Sequence, residues 1–146
     1  MRNPELDGID HINIYSKGQT ELGQLLSNFA HVPMNINEHG HFESVEGYWY
    51  WLGCRNDRLR LLYGYKAKEL GKTLKQKISL NPEEFKKYIR RAINTKIVNS
   101  PTIKKQFICS VLPFDHYYVY DGIAKDAGFK WIIEHLENIR GLLKRS

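Results

Sequence analysis

The sequence predicts an α+β fold that is mainly α-helical, with a small antiparallel sheet near the N-terminus. Two cap-and-proline pairs, Asn81-Pro82 and Ser100-Pro101, each begin a helical pattern of apolar residues in the second half of the chain. In the first third, two short segments of strand character flank the turn-like run Asn37-Glu38-His39-Gly40, which is typical of a hairpin. Because the 146 residues contain no internal repeat and no linker rich in Pro, Gly or Ser, we expect one domain, residues 1–146.

The composition is that of an ordinary globular protein. Hydrophobic residues make up 42% of the chain and charged residues 26%. No apolar run approaches the ~20 residues that a membrane-spanning helix needs, and the first residues lack the apolar core of a signal peptide. We therefore expect a cytoplasmic protein without membrane contact, in which Cys54 and Cys109 are reduced thiols.

The positive charge of the chain is unevenly distributed. The formal net charge is +6, yet residues 1–54 contain only two cations, Arg2 and Lys17. Residues 55–77 contain eight Lys and Arg residues and only two acids, Asp57 and Glu69. This basic segment is suited to the phosphates of a nucleotide or a nucleic acid, and equally to the solvated face of an amphipathic helix.

The first third of the chain predicts short strands. The alternation of Ile9, Ile12 and Ile14 with polar residues indicates a strand that ends near Tyr15. Residues 21–26 are a short irregular or helical passage. Residues 32–36 contain a proline and are at most an edge strand, on which residues 41–43 are placed to pair.

The middle of the chain predicts three helical pieces. Ser44 is a good N-cap for a helix from Val45 to about Gly53. A second piece begins at residue 56 or 57 and continues to 63, where a glycine interrupts it. A third covers residues 66–77, with apolar residues at helical spacing and lysines on its other faces.

The last third predicts three more helices. The one that follows Asn81 has an apolar stripe that reaches Ile97, and the one that follows Ser100 is stopped by Pro113. Residues 114–122 are expected to be a loop or a short extended segment. The final helix is predicted over about residues 126–144.

Several common catalytic motifs are absent. The chain contains no Walker loop, no G-x-G-x-x-G, no G-x-S-x-G and no H-E-x-x-H, which argues against the commonest ATPases, dehydrogenases, hydrolases and zinc proteases. His39 and His41 form an H-x-H pair without further ligands at suitable spacing. We therefore expect neither a metal site nor a cofactor.

The carboxylate with the best claim to chemistry is Glu46. It follows the N-cap Ser44 and precedes the aromatic run Tyr48-Trp49-Tyr50-Trp51. Desolvation among aromatic rings raises the pKa of a carboxyl group unless a donor or a cation compensates, and a raised pKa suits a general acid or base. The alternative is an acid in the first turn that only complements the helix dipole.

Three runs in the first third of the chain resemble the opening blocks of the NADAR (YbiA-like) family. They are Ile12-Asn13-Ile14-Tyr15, Leu26-Ser27-Asn28-Phe29-Ala30 and Phe42-Glu43-Ser44-Val45-Glu46-Gly47-Tyr48. That family shows an aromatic residue at the end of a strand, then L-S-N-F, then a helix that starts T/S-V-E-H-Y-Y-Q-A.

The later matches to that family are looser. Residues 67–72, which read A-K-E-L-G-K, resemble its A-K-x-L-G-R, and Lys96 stands where the family has a lysine. Asp115-His116-Tyr117-Tyr118 stands for its D-x-x-W, and Ile139-Arg140 resembles its last helix. The similarity extends over most of the chain, and its specific part is residues 12–50.

The resemblance implies an enzyme that cleaves N-glycosidic bonds. Members of the family are associated with removing ADP-ribose from guanine bases of nucleic acid, and others hydrolyse an early ribosyl-phosphate intermediate of riboflavin synthesis. The implied partner is an ADP-ribose-containing nucleotide or an ADP-ribosylated nucleic acid.

The resemblance and the chemistry together assign roles to particular residues. Cleavage of a C1′–N bond passes through an oxocarbenium-like sugar, which needs a nearby negative group and an activated water. We assign Glu46 as the first carboxylate and Asp115 as the second. The remaining candidates offer hydrogen bonds, stacking surfaces or a cation to the substrate, and they are Tyr15, Ser27, Asn28, Phe29, Tyr48, Trp49, Lys96 and Tyr118.

The chain also departs from the family pattern. Gly53 occupies the position of a family lysine, and the glycine-rich W-G-x-G after the late aspartate is replaced by Tyr118-Val119-Tyr120. A non-catalytic protein that binds ADP-ribose, a nucleotide or a nucleic acid is therefore the alternative to an enzyme.

Overall fold

The computed structural model describes residues 2–146, which divide into two compact units. The terminal unit consists of residues 2–27 and 101–146, and the central unit consists of residues 28–100. The prediction of one domain stays a prediction. Of the helices within residues 2–146, none is long and apolar enough to cross a membrane.

The terminal unit combines three helices with two small sheets. A 3-10 helix, Pro4–Leu6, precedes β1, and the remaining elements are, in chain order, β1 Ile12–Asn13, α1 Glu21–Leu26, α5 Pro101–Cys109, β4 Phe114–Asp115, β5 Tyr117–Tyr120, β6 Ile123–Asp126 and α6 Lys130–Lys144. Strand β1 pairs in parallel with β4, with Ile12 opposite Phe114, and β5 forms an antiparallel hairpin with β6.

The side chain of Asn13 extends the pairing of β1 beyond its two residues. Asn13 is buried, and its Nδ2 donates to the Tyr117 carbonyl while its Oδ1 accepts from the Tyr117 N–H, both at 2.9 Å. The Asn13 N–H in turn donates to Oδ1 of the buried Asp7 at 2.9 Å. An amide side chain thus satisfies backbone groups of the next strand, which a buried polar group requires.

The central unit places four helices around a hairpin. Its elements are, in chain order, β2 Met34–Ile36, β3 Gly40–Phe42, α2 Val45–Cys54, a 3-10 helix Asp57–Leu61, α3 Gly64–Thr73 and α4 Pro82–Asn99. Strands β2 and β3 are antiparallel, with Met34 opposite Phe42. In their turn, Glu38 and Gly40 adopt positive φ values of 77° and 87°, a conformation that glycine adopts without strain.

An aromatic cluster forms much of the core of the central unit. The ring of Phe42 meets those of Tyr48 and Trp51 edge-on, at centroid distances of 4.9 and 5.2 Å. The guanidinium of Arg60 lies over Phe42 at 4.5 Å and donates to the carbonyls of His39 and His41. Helix α2 is therefore held against the hairpin along one side.

The α+β, mainly helical class predicted from the sequence is confirmed. The helix after Ser44 ends at Cys54, within one residue of the prediction, and the hairpin of β2 and β3 is present as expected. Helix α3, by contrast, begins at Gly64 and ends at Thr73, not at 66 and 77. Gly64 was expected to interrupt a helix after residue 63. Instead, its φ of 61° lets the chain turn directly into α3, which begins at this residue.

Three other predictions about elements need correction. The final helix begins at Lys130 and not near 126, because residues 117–126 form the β5–β6 hairpin. The first strand is shorter than expected, with Ile9 exposed outside it. Pairing of β1 with β4 also makes one sheet parallel, whereas only antiparallel pairing was predicted.

Candidate functional site

Two consecutive carbonyl groups connect the segment after α1 to the starts of two helices. The Asn28 carbonyl accepts the backbone N–H of Glu46 at 2.9 Å, and the Phe29 carbonyl accepts the N–H of Gly64 at 3.0 Å. The first turns of α2 and α3 have N–H groups without partners inside their helices, so these bonds satisfy donors that would otherwise be lost. Asn28, Phe29 and Glu46, all proposed from the sequence, are thereby brought together.

The buried side chain of Ser44 fixes the start of α2. Its Oγ accepts the N–H of Gly47 at 3.0 Å and donates to the Leu62 carbonyl at 2.9 Å. The first bond is the N-cap predicted from the sequence. The second connects the cap to the residues just before α3, so Glu46 stands in a first turn that is restrained on two sides.

Glu46 is a carboxyl group whose environment favours the neutral form. Burial raises its pKa to about 7, against an ordinary value of 4.5, and Lys68 and Lys72 of α3 oppose part of that shift. The sequence predicted this direction from the aromatic run that follows. Near neutral pH such a group exists in both protonation states, so it is able to give and to take a proton.

The two lysines that face Glu46 belong to one side of α3. Lys68 and Lys72 are four residues apart, which places both on the same face of the helix. The ammonium of Lys68 also lies 6.0 Å from the centroid of the Phe29 ring, at the outer limit of a cation–π contact. Carboxyl, lysine and aromatic groups therefore occupy one region of the central unit.

Among the aromatic candidates of α2, Trp49 and Tyr48 differ in accessibility. Trp49 is half-buried, and its ring meets Phe85 of α4 edge-on at 4.8 Å. Tyr48 is 0% exposed, and its hydroxyl makes a 2.7 Å hydrogen bond with His39. A ring without exposed surface is not available to stack on a base, so the predicted substrate contact of Tyr48 is wrong and we assign this residue to the core.

Lys96, another candidate, lies on α4 and is 2% exposed. Burial lowers its pKa from 10.5 to about 7, because desolvation penalises the ammonium form. A buried lysine of this kind holds or releases a proton near neutral pH. Its role toward a substrate stays a prediction.

Gly53, at which the family pattern that the sequence resembles has a lysine, is covered by a neighbouring side chain. A Cβ at Gly53 would lie 2.2 Å from Nε2 of Gln76, and the Gly53 carbonyl accepts the N–H groups of Lys77 and Ile78 at 2.9 Å. Residues 76–78 therefore run directly over the end of α2. The Gln76 amide occupies the direction in which a side chain at position 53 would leave the backbone.

Asp115, the second proposed carboxylate, lies in the terminal unit and is paired with Arg2. The Arg2 guanidinium donates to both carboxylate oxygens at 2.9 Å, and the His116 N–H donates to Oδ1 at 2.8 Å. Burial acts to raise the Asp115 pKa, but these bonds and the charge of Arg2 hold it below its ordinary value. Asp115 is therefore ionised at neutral pH and supplies negative charge, not a proton.

The same aspartate borders a pocket of the terminal unit. The pocket has a volume of about 510 Å³ and is lined by Arg2, Asp115, His116, Asp126, Gly128, Lys130 and Ile133. Arg2 spans its two acids, since it also pairs with Asp126 at 3.0 Å. No local pattern pointed to Arg2, because its partners Asp115 and Asp126 lie more than one hundred residues away along the chain.

The remaining candidates of the terminal unit are Tyr15, Ser27 and Tyr118. The rings of Tyr15 and Tyr118 lie 5.7 Å apart at an angle of 60°. Ser27 is buried at the end of α1, where its N–H donates to the Gln24 carbonyl at 3.3 Å. Their contacts with a substrate stay predictions.

The structure thus groups the candidates in two sets. Asn28, Phe29 and Glu46 meet in the central unit together with Lys68, and Tyr15 meets Tyr118 in the terminal unit. Within residues 2–146, no three His, Cys, Asp or Glu side chains are arranged to hold a metal ion.

Comparison with known proteins identifies the fold. No protein-family model matches the chain, and no curated protein does. The NMR structure of the E. coli protein YbiA is similar to this chain with a TM-score of 0.71, and the match covers 98% of this chain and 87% of that one. The sequences are 16% identical over this match, a level at which the likeness concerns the fold and not the activity. The chain therefore has the YbiA-like fold that its opening motifs predicted.

Proposed function

We propose that this protein is an N-glycosyl hydrolase that removes ADP-ribose from a guanine base of a nucleic acid or nucleotide. The observation that supports it best is the environment of Glu46, a half-buried carboxyl group that desolvation gives a pKa of about 7, in the restrained first turn of α2. A structural acid in a first turn would be expected to stay exposed and ionised near the helix dipole. A pKa raised at a helix N-terminus, where the dipole favours the ionised carboxylate, supports a proton-transfer role.

The proposed reaction consumes one water molecule. The water oxygen bonds to C1′ of the ribose as the C1′–N bond breaks, and the bonding electron pair leaves with the guanine nitrogen. The water loses one proton and the departing nitrogen gains one, so the step is balanced. In this proposal Glu46 is the catalytic residue that takes the proton from water, and its negative charge stabilises the oxocarbenium-like sugar.

The neighbours of Glu46 are suited to an ADP-ribosyl group. Asn28 offers an amide for ribose hydroxyls, and Phe29 and the half-buried Trp49 offer rings for a base. Lys68 and Lys72 bring positive charge to the same region, where a diphosphate needs it. We propose that these five residues surround the reacting sugar.

The direct test is to incubate the purified protein with an oligonucleotide that carries ADP-ribose on one guanine. We expect free ADP-ribose and the unmodified oligonucleotide, both identified by mass spectrometry. A matched oligonucleotide with ADP-ribose on thymine is the control for base selectivity. If the guanine-linked substrate returns unchanged, the hydrolase proposal is wrong.

One observation favours a second function, which is binding of ADP-ribose without hydrolysis. That observation is the glycine at position 53. The family pattern that the sequence resembles has a lysine there, and in this chain the Gln76 amide covers the position. If that lysine is indispensable, the chain retains an ADP-ribose pocket without turnover. This alternative predicts that the protein binds ADP-ribose in calorimetry but releases none, and that Gly53→Lys combined with Gln76→Gly creates activity. Activity of the unaltered chain would exclude it.

A further inference from the structure

One exposed aromatic surface of the central unit has no part in the function described above. Leu61, Tyr63 and Tyr65 are 72%, 48% and 66% exposed, and exposed apolar side chains that cluster, unlike single ones, mark interaction sites. His31 stacks on Tyr63 with the ring planes 5° apart and the centroids 4.1 Å apart. We call His31, Tyr63 and Tyr65 the aromatic surface.

The aromatic surface is connected to the region of Glu46 by backbone hydrogen bonds. The N–H of Gly64, between the two tyrosines, donates to the Phe29 carbonyl at 3.0 Å. The carbonyl of Asn28, the residue before Phe29, accepts the N–H of Glu46. Leu62, just before Tyr63, accepts from the cap serine of α2 at 2.9 Å. The tyrosines therefore lie on a segment whose position is set by the same contacts that position Glu46.

The segment that contains Tyr63 and Tyr65 is strongly basic, whereas His31 is hydrogen-bonded to the carboxylate of Glu43 at 2.8 Å. Residues 55–77 contain eight of the chain's 22 Lys and Arg residues but two of its 16 acids, so the rest of the chain has as many cations as anions. The whole net charge of +6 therefore comes from the segment that contains Tyr63 and Tyr65. Arg58 and Lys66, close to the two tyrosines in sequence, are exposed.

Exposed rings inside a basic segment have the chemistry that single-stranded nucleic acids need. Unpaired bases stack on aromatic side chains whatever their sequence, while Lys and Arg follow the phosphates. Bases inside a duplex have no free face to offer. An acidic protein partner would be attracted by the positive charge, but that charge alone does not explain why aromatic rings are exposed beside it.

We infer that the aromatic surface binds the unpaired bases that flank the modified guanine, so that the substrate is a single-stranded nucleic acid rather than a free nucleotide. This inference rests on the proposed function for the identity of the reacting base. The binding itself needs no hydrolysis. It is therefore measured on unmodified strands.

The experiment uses fluorescence anisotropy with labelled single strands of about ten nucleotides, within the usual site size of such proteins. A DNA strand and an RNA strand of the same sequence test whether the 2′-hydroxyl matters, and a DNA duplex of that sequence is the third probe. We expect the strands to bind and the duplex to bind at least tenfold more weakly. We expect Tyr63→Ala and Tyr65→Ala each to weaken strand binding about tenfold, as loss of one stacked base does.

The control variant is Tyr120→Ala, which removes a tyrosine that is 60% exposed on β5 of the terminal unit. It should bind the strand as the unaltered protein does, and Tyr63→Phe should retain the affinity that Tyr63→Ala loses. If the alanine variants do not fold, ultraviolet crosslinking of the unaltered protein to the strand, followed by peptide mass spectrometry, replaces them. We expect crosslinked nucleotides on the peptide that contains Tyr63 and Tyr65.

Three results would overturn the inference. They are equal affinity for strand and duplex, unchanged affinity of both alanine variants, and crosslinks confined to other peptides. Failure of the proposed function is distinguishable from these results. In that case the protein binds the strand as expected but releases no ADP-ribose.

Discussion

The backbone N–H of Glu46 donates a 2.9 Å hydrogen bond to the carbonyl of Asn28. The bond connects a residue of the S-N-F run directly to the backbone of the glutamate eighteen positions later. Any shift of residues 28–29 would therefore move the first turn of α2. The S-N-F run and the start of α2, the two strongest sequence signals of the chain, are therefore hydrogen-bonded to each other.

The raised pKa of Glu46 has a consequence for stability. Its unfolded value is 4.5 and its folded value about 7, so folding takes up a proton between these pH values. The contribution of Glu46 is most favourable below pH 4.5 and is lost as pH rises through about 7. At about 1.4 kcal/mol per unit, the loss amounts to at most about 3 kcal/mol.

We therefore expect Glu46→Gln to gain stability relative to the unaltered protein between pH 5 and pH 8. Urea unfolding at both pH values measures the difference, which should be larger at pH 8. Glu69→Gln on the exposed side of α3 is the matched control and should show no such trend. A difference that is constant with pH would show that Glu46 titrates normally.

Lys68 lowers the pKa of Glu46, so Lys68→Met should raise it above about 7. If the ionised carboxylate is the base, the acid limb of the kcat/KM profile should move to higher pH in this variant. Lys75→Met removes the same charge outside α3 and should leave the limb in place. Identical limbs in all three proteins would remove Lys68 from the electrostatics of the site.

Replacement by alanine should affect stability very differently at two glycines of α2. A Cβ at Gly47 would lie 2.4 Å from the Leu59 carbonyl oxygen, which is backbone and cannot turn away, so Gly47→Ala should cost about 2 kcal/mol or more. At Gly53 the obstacle is the exposed, flexible side chain of Gln76. Gly53→Ala should change stability by less than about 1 kcal/mol, since alanine favours the helix. Thermal unfolding compares the two, and equal losses would contradict the packing described at Gln76.

Ser44 connects the start of α2 to the residues before α3. Ser44→Ala leaves the Gly47 N–H without its cap and the Leu62 carbonyl without its buried donor, which should cost about 1–3 kcal/mol. Chemical unfolding measures this cost, with Ser79→Ala, an exposed serine, as the reference. An equally small effect of both changes would mean that neither bond of Ser44 matters.

The sequence predicted local structure well where a few adjacent residues decide it. Ser44 with its apolar run specified α2, and Asn81-Pro82 and Ser100-Pro101 specified the starts of α4 and α5, because caps act within one helical turn. The β5–β6 hairpin was missed although Asp121-Gly122 carried its signal. Both residues have positive φ values, 50° and 75°, as a two-residue hairpin turn requires.

Contacts between distant residues were beyond a local pattern. The parallel pairing of β1 with β4 joins residues about a hundred positions apart, and so does the Arg2–Asp115 pair. Accessibility was misjudged at Tyr48, because both Tyr48 and Trp49 are aromatic and only the packing of α2 decides which is buried. The pKa direction of Glu46, in contrast, followed from its neighbours in sequence.

The central claim, that Glu46 carries the proton in the cleavage of the guanine–ribose bond, is tested most directly by single-turnover release of ADP-ribose from a modified guanosine oligonucleotide by Glu46→Gln. We expect this variant to fold and bind the oligonucleotide, and to release ADP-ribose at least about a hundredfold more slowly than the unaltered protein. Glu69→Gln should retain the full rate. A Glu46→Gln variant that releases ADP-ribose at the unaltered rate would contradict the claim.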